Sequence, residues 1–204
     1  MGEPVAETER LILRDWRDGD RAQFVRHLNT PTVMRWLGGV QDEATFTAAF
    51  DRIAGFQRDY GHTFWIVERK ADGALLGFCG LKRVNADNTP LVGDFEIGWR
   101  FREDSWGRGF AKEAAIACLD LAFDHFGAPH VVALTVDGNA DSWGMMERLG
   151  MTRRADLDFD DPRYGPELNP TIVYRIDAEH WSAARDSVSA SLVRHRPAPP
   201  PGLP

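Results

Sequence analysis

The apolar run Leu11-Ile12-Leu13 between Arg10 and Arg14 predicts a first strand. A polar turn over 15–20 follows, in which Asp18 or Asp20 is expected to cap a helix reaching about Leu28. Thr30-Pro31-Thr32 ends that helix, because an internal proline loses a hydrogen bond and clashes with the preceding turn. Phe46, Phe50, Ile53 and Gln57 recur at spacings of three and four, which predicts a second helix from Asp42 to the Tyr60-Gly61 pair. Two aromatic-rich strands are expected at 63–68 and 75–84, joined by the turn Ala71-Asp72-Gly73, and a fourth strand at 91–101. A helix over about 107–126 carries Ala111, Ala114, Ala115, Cys118, Ala122 and Phe126 on one stripe, small enough to lie close against a sheet. Gly127-Ala128-Pro129 stops it before a buried strand at 131–136. A helix over 140–149 ends at Gly150, which suits a left-handed cap. Strands at 152–159 and 171–176 and a helix over 178–192, capped by Asp177, complete the pattern.

This alternation predicts one α/β domain over 8–177, a C-terminal helix or appendage over 178–195, and a disordered proline-rich tail over 196–204. A chain of 204 residues, 43% hydrophobic and 27% charged, has the composition of a soluble domain with a real core. It holds no run of eighteen apolar residues, and its first ten residues include three Glu and no apolar stretch. A cytoplasmic protein with no membrane association is therefore expected. The formal charge of −7 argues against a nucleic-acid partner and biases the surface toward cationic amines. Cys79 and Cys118 read as buried reduced thiols, and the six histidines show no ligand spacing, so no metal is expected.

The candidate chemistry lies at Trp106-Gly107-Arg108-Gly109-Phe110-Ala111, a glycine-rich turn running into a helix. Glycines let backbone N–H groups approach an anion, and a helix start adds free donors and the positive end of its dipole. The turn is neither a full dinucleotide fingerprint, since Lys112 stands at the third glycine, nor a Walker loop.

Four segments in order resemble the GCN5-related N-acetyltransferase (GNAT) superfamily, and most nearly its ribosomal-protein N-terminal acetyltransferase (RimJ/RimL-like) branch. They are Thr8-Glu9-Arg10-Leu11-Ile12-Leu13-Arg14, Phe95-Glu96-Ile97-Gly98-Trp99, the turn extended to Ala114, and Asn139-Ala140-Asp141-Ser142 with Arg148-Leu149-Gly150-Met151. The resemblance spans about 8–175. It implies a mixed, strongly twisted sheet of about seven strands, with helices on both faces and splayed fourth and fifth strands that admit the pantetheine arm of acetyl-CoA. It further implies acetyl transfer to a primary amine, on a small molecule or a protein N-terminus, by direct attack in a ternary complex. The alternative is a non-catalytic acyl-CoA-binding protein on the same fold, and either a monomer or a homodimer is compatible.

On this reading Ile97, Gly98 and Trp99 offer a strand edge to the cofactor, and Trp106, Gly107, Arg108, Gly109, Phe110 and Ala111 hold its pyrophosphate. Strand alternation turns Glu96 away from the apolar set Phe95, Ile97 and Trp99, making it the candidate general base. Asp94, on the same face, is the substitute; the run Asp156, Asp158, Asp160 and Asp161 is a further source of a base. Asn139 resembles the asparagine that contacts pantetheine, and also suits a helix cap. Ser142 resembles a serine near the sulfur. Many superfamily members place a Tyr where Met146 stands, so Ser142 or a water is left to serve the thiol. Trp36, in Trp36-Leu37-Gly38-Gly39, is the substrate-side candidate.

Overall fold

The structure, a computed structural model, describes residues 4–193, with side chains to residue 190; the expected tail over 196–204 lies outside them. Its strands are β1 (Ala6–Glu7), β2 (Leu11–Arg14), β3 (Phe64–Arg69), β4 (Leu75–Arg83), β5 (Phe95–Phe101), β6 (His130–Val136), β7 (Thr152–Arg153) and β8 (Thr171–Asp177). Its helices are α1 (Asp20–Leu28), α2 (Glu43–Tyr60), α3 (Phe110–Asp120), α4 (Ala140–Arg148) and α5 (Ala178–Val193).

All eight strands form one sheet in the order β1-β2-β3-β4-β5-β6-β8-β7. Neighbours are antiparallel except β5 and β6, which run parallel. That parallel pair is the expected splay. It is in register only at Phe95–Val131 and Glu96–Val132, so residues 97–101 face β6 across a gap while β4 still holds their other side.

The two faces of the sheet have separate cores. Leu13, Trp65, Ile97 and Phe101 join Ala114, Ala115, Cys118 and Leu119 of α3 in the larger one, which also takes Trp181 of α5. The alanines of α3 let its backbone approach the sheet, as its stripe predicted. Burying Leu119 there contributes roughly 1.5–3 kcal/mol as an upper figure. On the opposite face α1 and α2 cover Ile66, Leu75 and Phe78 with Phe24, Leu28 and Phe46. Strand alternation therefore sends Ile97 and Phe101 to the α3 side and Glu96, Gly98 and Arg100 to the α1–α2 side.

Several sequence expectations are corrected. Neither Asp18 nor Asp20 caps α1; Gly19 takes that place with φ 91°. Asp20 is buried, and its carboxylate accepts from the Arg14 guanidinium at 2.7 and 2.9 Å and from the Arg17 N–H at 2.7 Å, a tertiary demand that outweighed capping. The fourth strand begins at Phe95, not at 91, because Gly93 N–H bonds back to Val84 and Asp94 N–H to Leu91, closing a turn. The strand expected over 152–159 shrinks to Thr152–Arg153, followed by a short 3-10 turn, Ala155–Leu157, and a lone bridge from Phe159 to Thr171. α3 starts at Phe110, three residues later than expected, and passes into a π-helical turn at Leu121–His125. The count of strands rises to eight because the two-residue β1 pairs with β2. Cys79 and Cys118 are buried free thiols with their Sγ atoms 3.6 Å apart.

Candidate active site

A cleft of about 1200 Å³ opens where β5 and β6 separate. One end is the turn after β5. Gly107 and Gly109 adopt φ 68° and 77°, a left-handed conformation that glycine takes without strain. Gly109 then serves as N-cap of α3 with no side chain capping the helix. The first-turn N–H groups lack intrahelical partners by construction, so they and the helix dipole face the cleft as an anion cradle. Trp106 lies half exposed at the rim, its indole N–H donating to the Phe101 carbonyl at 2.8 Å.

The cradle is braced by a pair that sequence reasoning missed. The buried Glu113 carboxylate in the first turn of α3 accepts from Thr8 Oγ1 at 2.6 Å, Arg10 N–H at 2.9 Å and Arg10 Nε at 2.6 Å. Arg10 also donates from Nη1 to the Arg108 carbonyl at 3.0 Å and lies 4.5 Å over the Phe110 ring. The signal was a charged residue at a position of α3 that faces the sheet, which calls for a partner.

Along the gap lie Ile97, Gly98 and Trp99, with Glu96 at its closed end. Gly98 is required by packing, since a Cβ there would meet the Phe64 ring at 2.9 Å. Glu96 is almost fully buried and is paired with Lys82, its cross-strand partner on β4, through Oε2. Oε1 has no partner among the described residues. Lys82 was not anticipated, because cross-strand register is a tertiary fact.

The opposite wall comes from β6 and α4. Asn139 does not cap α4 with its side chain; its Nδ2 donates to Thr135 Oγ1 at 3.1 Å. Ser142 is half-buried and lines the cleft, and Met146, where the superfamily often has Tyr, is buried. Trp36 reaches the cleft from the α1–α2 connection, where its ring lies 2.6 Å from the Cβ that Gly138 lacks.

Every proposed site residue except Asp94 lines this cleft. Asp94 precedes β5, and its carboxylate lies 2.9 Å from His130 Nε2 on β6, outside the cleft lining. Of the acidic run, Asp156 is taken by Arg154 and Asp158 by Arg153. Asp161 is buried, and the Arg163 guanidinium holds its carboxyl below the usual carboxylate range.

Beyond Glu96 the cleft continues into a chamber of about 290 Å³ between the sheet and α2, walled by Phe46, Phe50, Phe64 and Phe78. Arg100 is in its wall, 5.7 Å from the Phe24 ring and 5.4 Å from that of Phe78. Its Nε is buried and without a hydrogen-bond partner, and burial pushes its pKa down to about 10. Among the described residues no group of three or more His, Cys, Asp or Glu side chains comes together to hold a metal, and no helix is long and apolar enough to cross a membrane.

An open, mixed sheet split at a parallel pair, with a glycine turn and helix start at the mouth, defines an acyltransferase type of architecture. Residues 10–152 match the acetyltransferase (GNAT) domain, and the chain belongs to that family. It is similar to the uncharacterized protein YkkB of Bacillus subtilis, at 34% identity over 145 residues, covering 71% of this chain and 83% of that protein. It is also similar to the uncharacterized N-acetyltransferase YnaD of the same organism, at 26% identity over 176 residues, covering 86% and 98%. Among solved structures, an acetyltransferase from Agrobacterium tumefaciens superimposes with a TM-score of 0.70 at 27% identity, covering 86% of this chain and 95% of that one.

Proposed function

We propose that the protein is an acetyl-CoA-dependent N-acetyltransferase of the RimJ/RimL-like branch, moving an acetyl group to a primary amine by direct attack in a ternary complex. The observation that carries this reading is the continuity of one cleft, from the uncapped α3 start, along the unpaired β5 edge, to Glu96. When bound, acetyl-CoA supplies an acyl group already activated as a thioester.

The chain's own residues divide the remaining work. N–H groups of 107–111 hold the pyrophosphate, and the edge of Ile97, Gly98 and Trp99 accepts the pantetheine arm as an added strand. A β5 N–H near Ile97 or Gly98 polarises the acyl carbonyl. Glu96 Oε1 accepts the proton that the amine sheds as its nitrogen bonds the acyl carbon, directly or through a water. Ser142 hydrogen-bonds the departing sulfur, and Asn139 orients the arm beside it. The same reading places one domain over 8–177, in the cytoplasm, as a monomer or a homodimer.

The test pairs calorimetric titration of acetyl-CoA with a thiol-release assay over an amine and peptide panel. Saturable binding with CoA release is expected. Absence of binding by CoA and acetyl-CoA at millimolar concentration would refute the reading. Buried Met146 favours a second reading, a non-catalytic acyl-CoA-binding protein. Tight binding with no turnover on any amine would establish that one.

A further inference from the structure

The acidic composition of the chain suggested a cationic acceptor, but the chamber beyond Glu96 has the opposite balance. Arg52, Lys82, Arg100 and Arg163 line it against Glu96 and Asp161. Two of those cations are already matched, Lys82 by Glu96 and Arg163 by Asp161. Arg100 is not. Among the described residues its guanidinium makes no hydrogen bond or ion pair, and the Tyr164 phenol is the one titratable neighbour acting on it.

An arginine whose Nε is buried beside Phe24 and Phe78 with no counter-ion gives up hydration without a paired charge in return, which makes its place in the chamber wall costly unless a ligand uses it. Its position gives it a use. Arg100 stands four residues beyond Glu96 on the same strand and the same face, about 13 Å along β5. Gly98 lies between them, and the Phe64 ring covers it. A molecule lying on that aromatic floor with its amine at Glu96 would extend toward Arg100.

We infer that Arg100 is the anchor for a carboxylate carried by the acceptor, so that the substrate is an amine bearing a carboxylate, such as an amino acid or a short peptide, and not a polyamine. This rests on the acetyl-transfer reading above. A single guanidinium fork matches one carboxylate in charge and in bidentate geometry; Arg52, the other chamber cation without an ion pair among the described residues, is exposed to solvent on α2. On the acetyl-transfer reading the cofactor's phosphates belong to the turn at the start of α3, whereas Arg100 also lines the chamber beyond Glu96, and the affinity for CoA separates the two uses.

The experiment measures kcat/KM for matched amines on the wild-type protein and on Arg100→Met and Arg100→Lys. The panel is L-phenylalanine, leucyl-phenylalanine and ω-amino carboxylates of increasing length, each beside its carboxamide, with phosphoethanolamine and spermine added. The wild type is expected to prefer the best carboxylate over its amide by about ten- to a hundredfold. Arg100→Met should erase that preference while the Kd for CoA by calorimetry stays unchanged, and Arg100→Lys should restore part of it. The melting temperature of Arg100→Met should not fall, since that variant removes a charge with no counter-ion.

Turnover of amides, spermine or phosphoethanolamine at equal or higher kcat/KM would overturn the carboxylate anchor and leave acetyl transfer standing. A loss of CoA affinity in Arg100→Met would overturn it too, by assigning the guanidinium to the cofactor. Should CoA bind and no amine react, the acetyl-transfer reading fails, and thermal shift of the CoA-bound protein decides the anchor. Stabilisation of wild type but not of Arg100→Met by the carboxylates upholds it, and equal shifts or none overturn it.

Discussion

The pair Arg10–Glu113 should govern stability in a way that two single substitutions and their combination can measure. Glu113 has 6% of its side chain exposed and Arg10 34%, so the two changes are not equivalent. Glu113→Ala removes the buried carboxylate; Arg10 is partly wet and can rehydrate, so about 2 kcal/mol is expected from the lost charged hydrogen bonds. Arg10→Met strips the cation and leaves the carboxylate in the interior. Thr8 and the residue-10 N–H still donate to it, which sets the cost near the lower end for a broken buried pair, about 3 kcal/mol. The double variant should lose less than the sum by about 1–2 kcal/mol, because neither partner is then stranded. Urea denaturation of the four proteins reads these values, and thermal melts should fall by about 4–8 °C for Glu113→Ala. Additivity to within about 0.5 kcal/mol would refute the brace, since uncoupled residues add to that tolerance.

Glu96→Gln should lower kcat by about a hundredfold or more while the Kd for acetyl-CoA, measured by calorimetry, stays within a few-fold; unchanged turnover would remove Glu96 as the base. Gly109→Ala should cost about 1–2 kcal/mol, because it forces a left-handed φ of 77° on a side chain, with Cβ 3.4 Å from Arg10 Nη2. It should also weaken acetyl-CoA binding, and a titration with unchanged affinity would show that the turn does not hold the cofactor. His62 is buried among Tyr60, Phe95 and Phe126, and burial holds its pKa below the ordinary 6.5. The unfolded chain therefore takes up its proton first as the pH falls, so the contribution of His62 is full above about 6.5 and is lost as pH drops toward its folded value. Urea midpoints from pH 8 to 5 should fall less steeply in His62→Phe than in wild type.

The sequence by itself determined the elements whose signal is local. The three-four spacing of Phe46, Phe50 and Ile53 and the alanine stripe of α3 report which face must leave water. Gly107 and Gly109 report a turn that other residues enter only with strain. Alternation along β5 separates Glu96 from its apolar neighbours, and all of these follow from the covalent chain and its two periodicities. What the sequence left open involves partners distant along the chain. Asp20 read as a cap until Arg14 claimed it, and Asp94 as a substitute base until a tight turn set it beside His130. Lys82 meets Glu96 only through the β4–β5 register, and Glu113 meets Arg10 across 103 residues. Arg100 carries no local signal in the sequence; only packing of α1 and α2 over its face sets it beside Phe24 and Phe78 without a counter-ion. A side chain's type limits what it can bind, whereas its burial and the charges around it decide whether it must, and those belong to the tertiary structure.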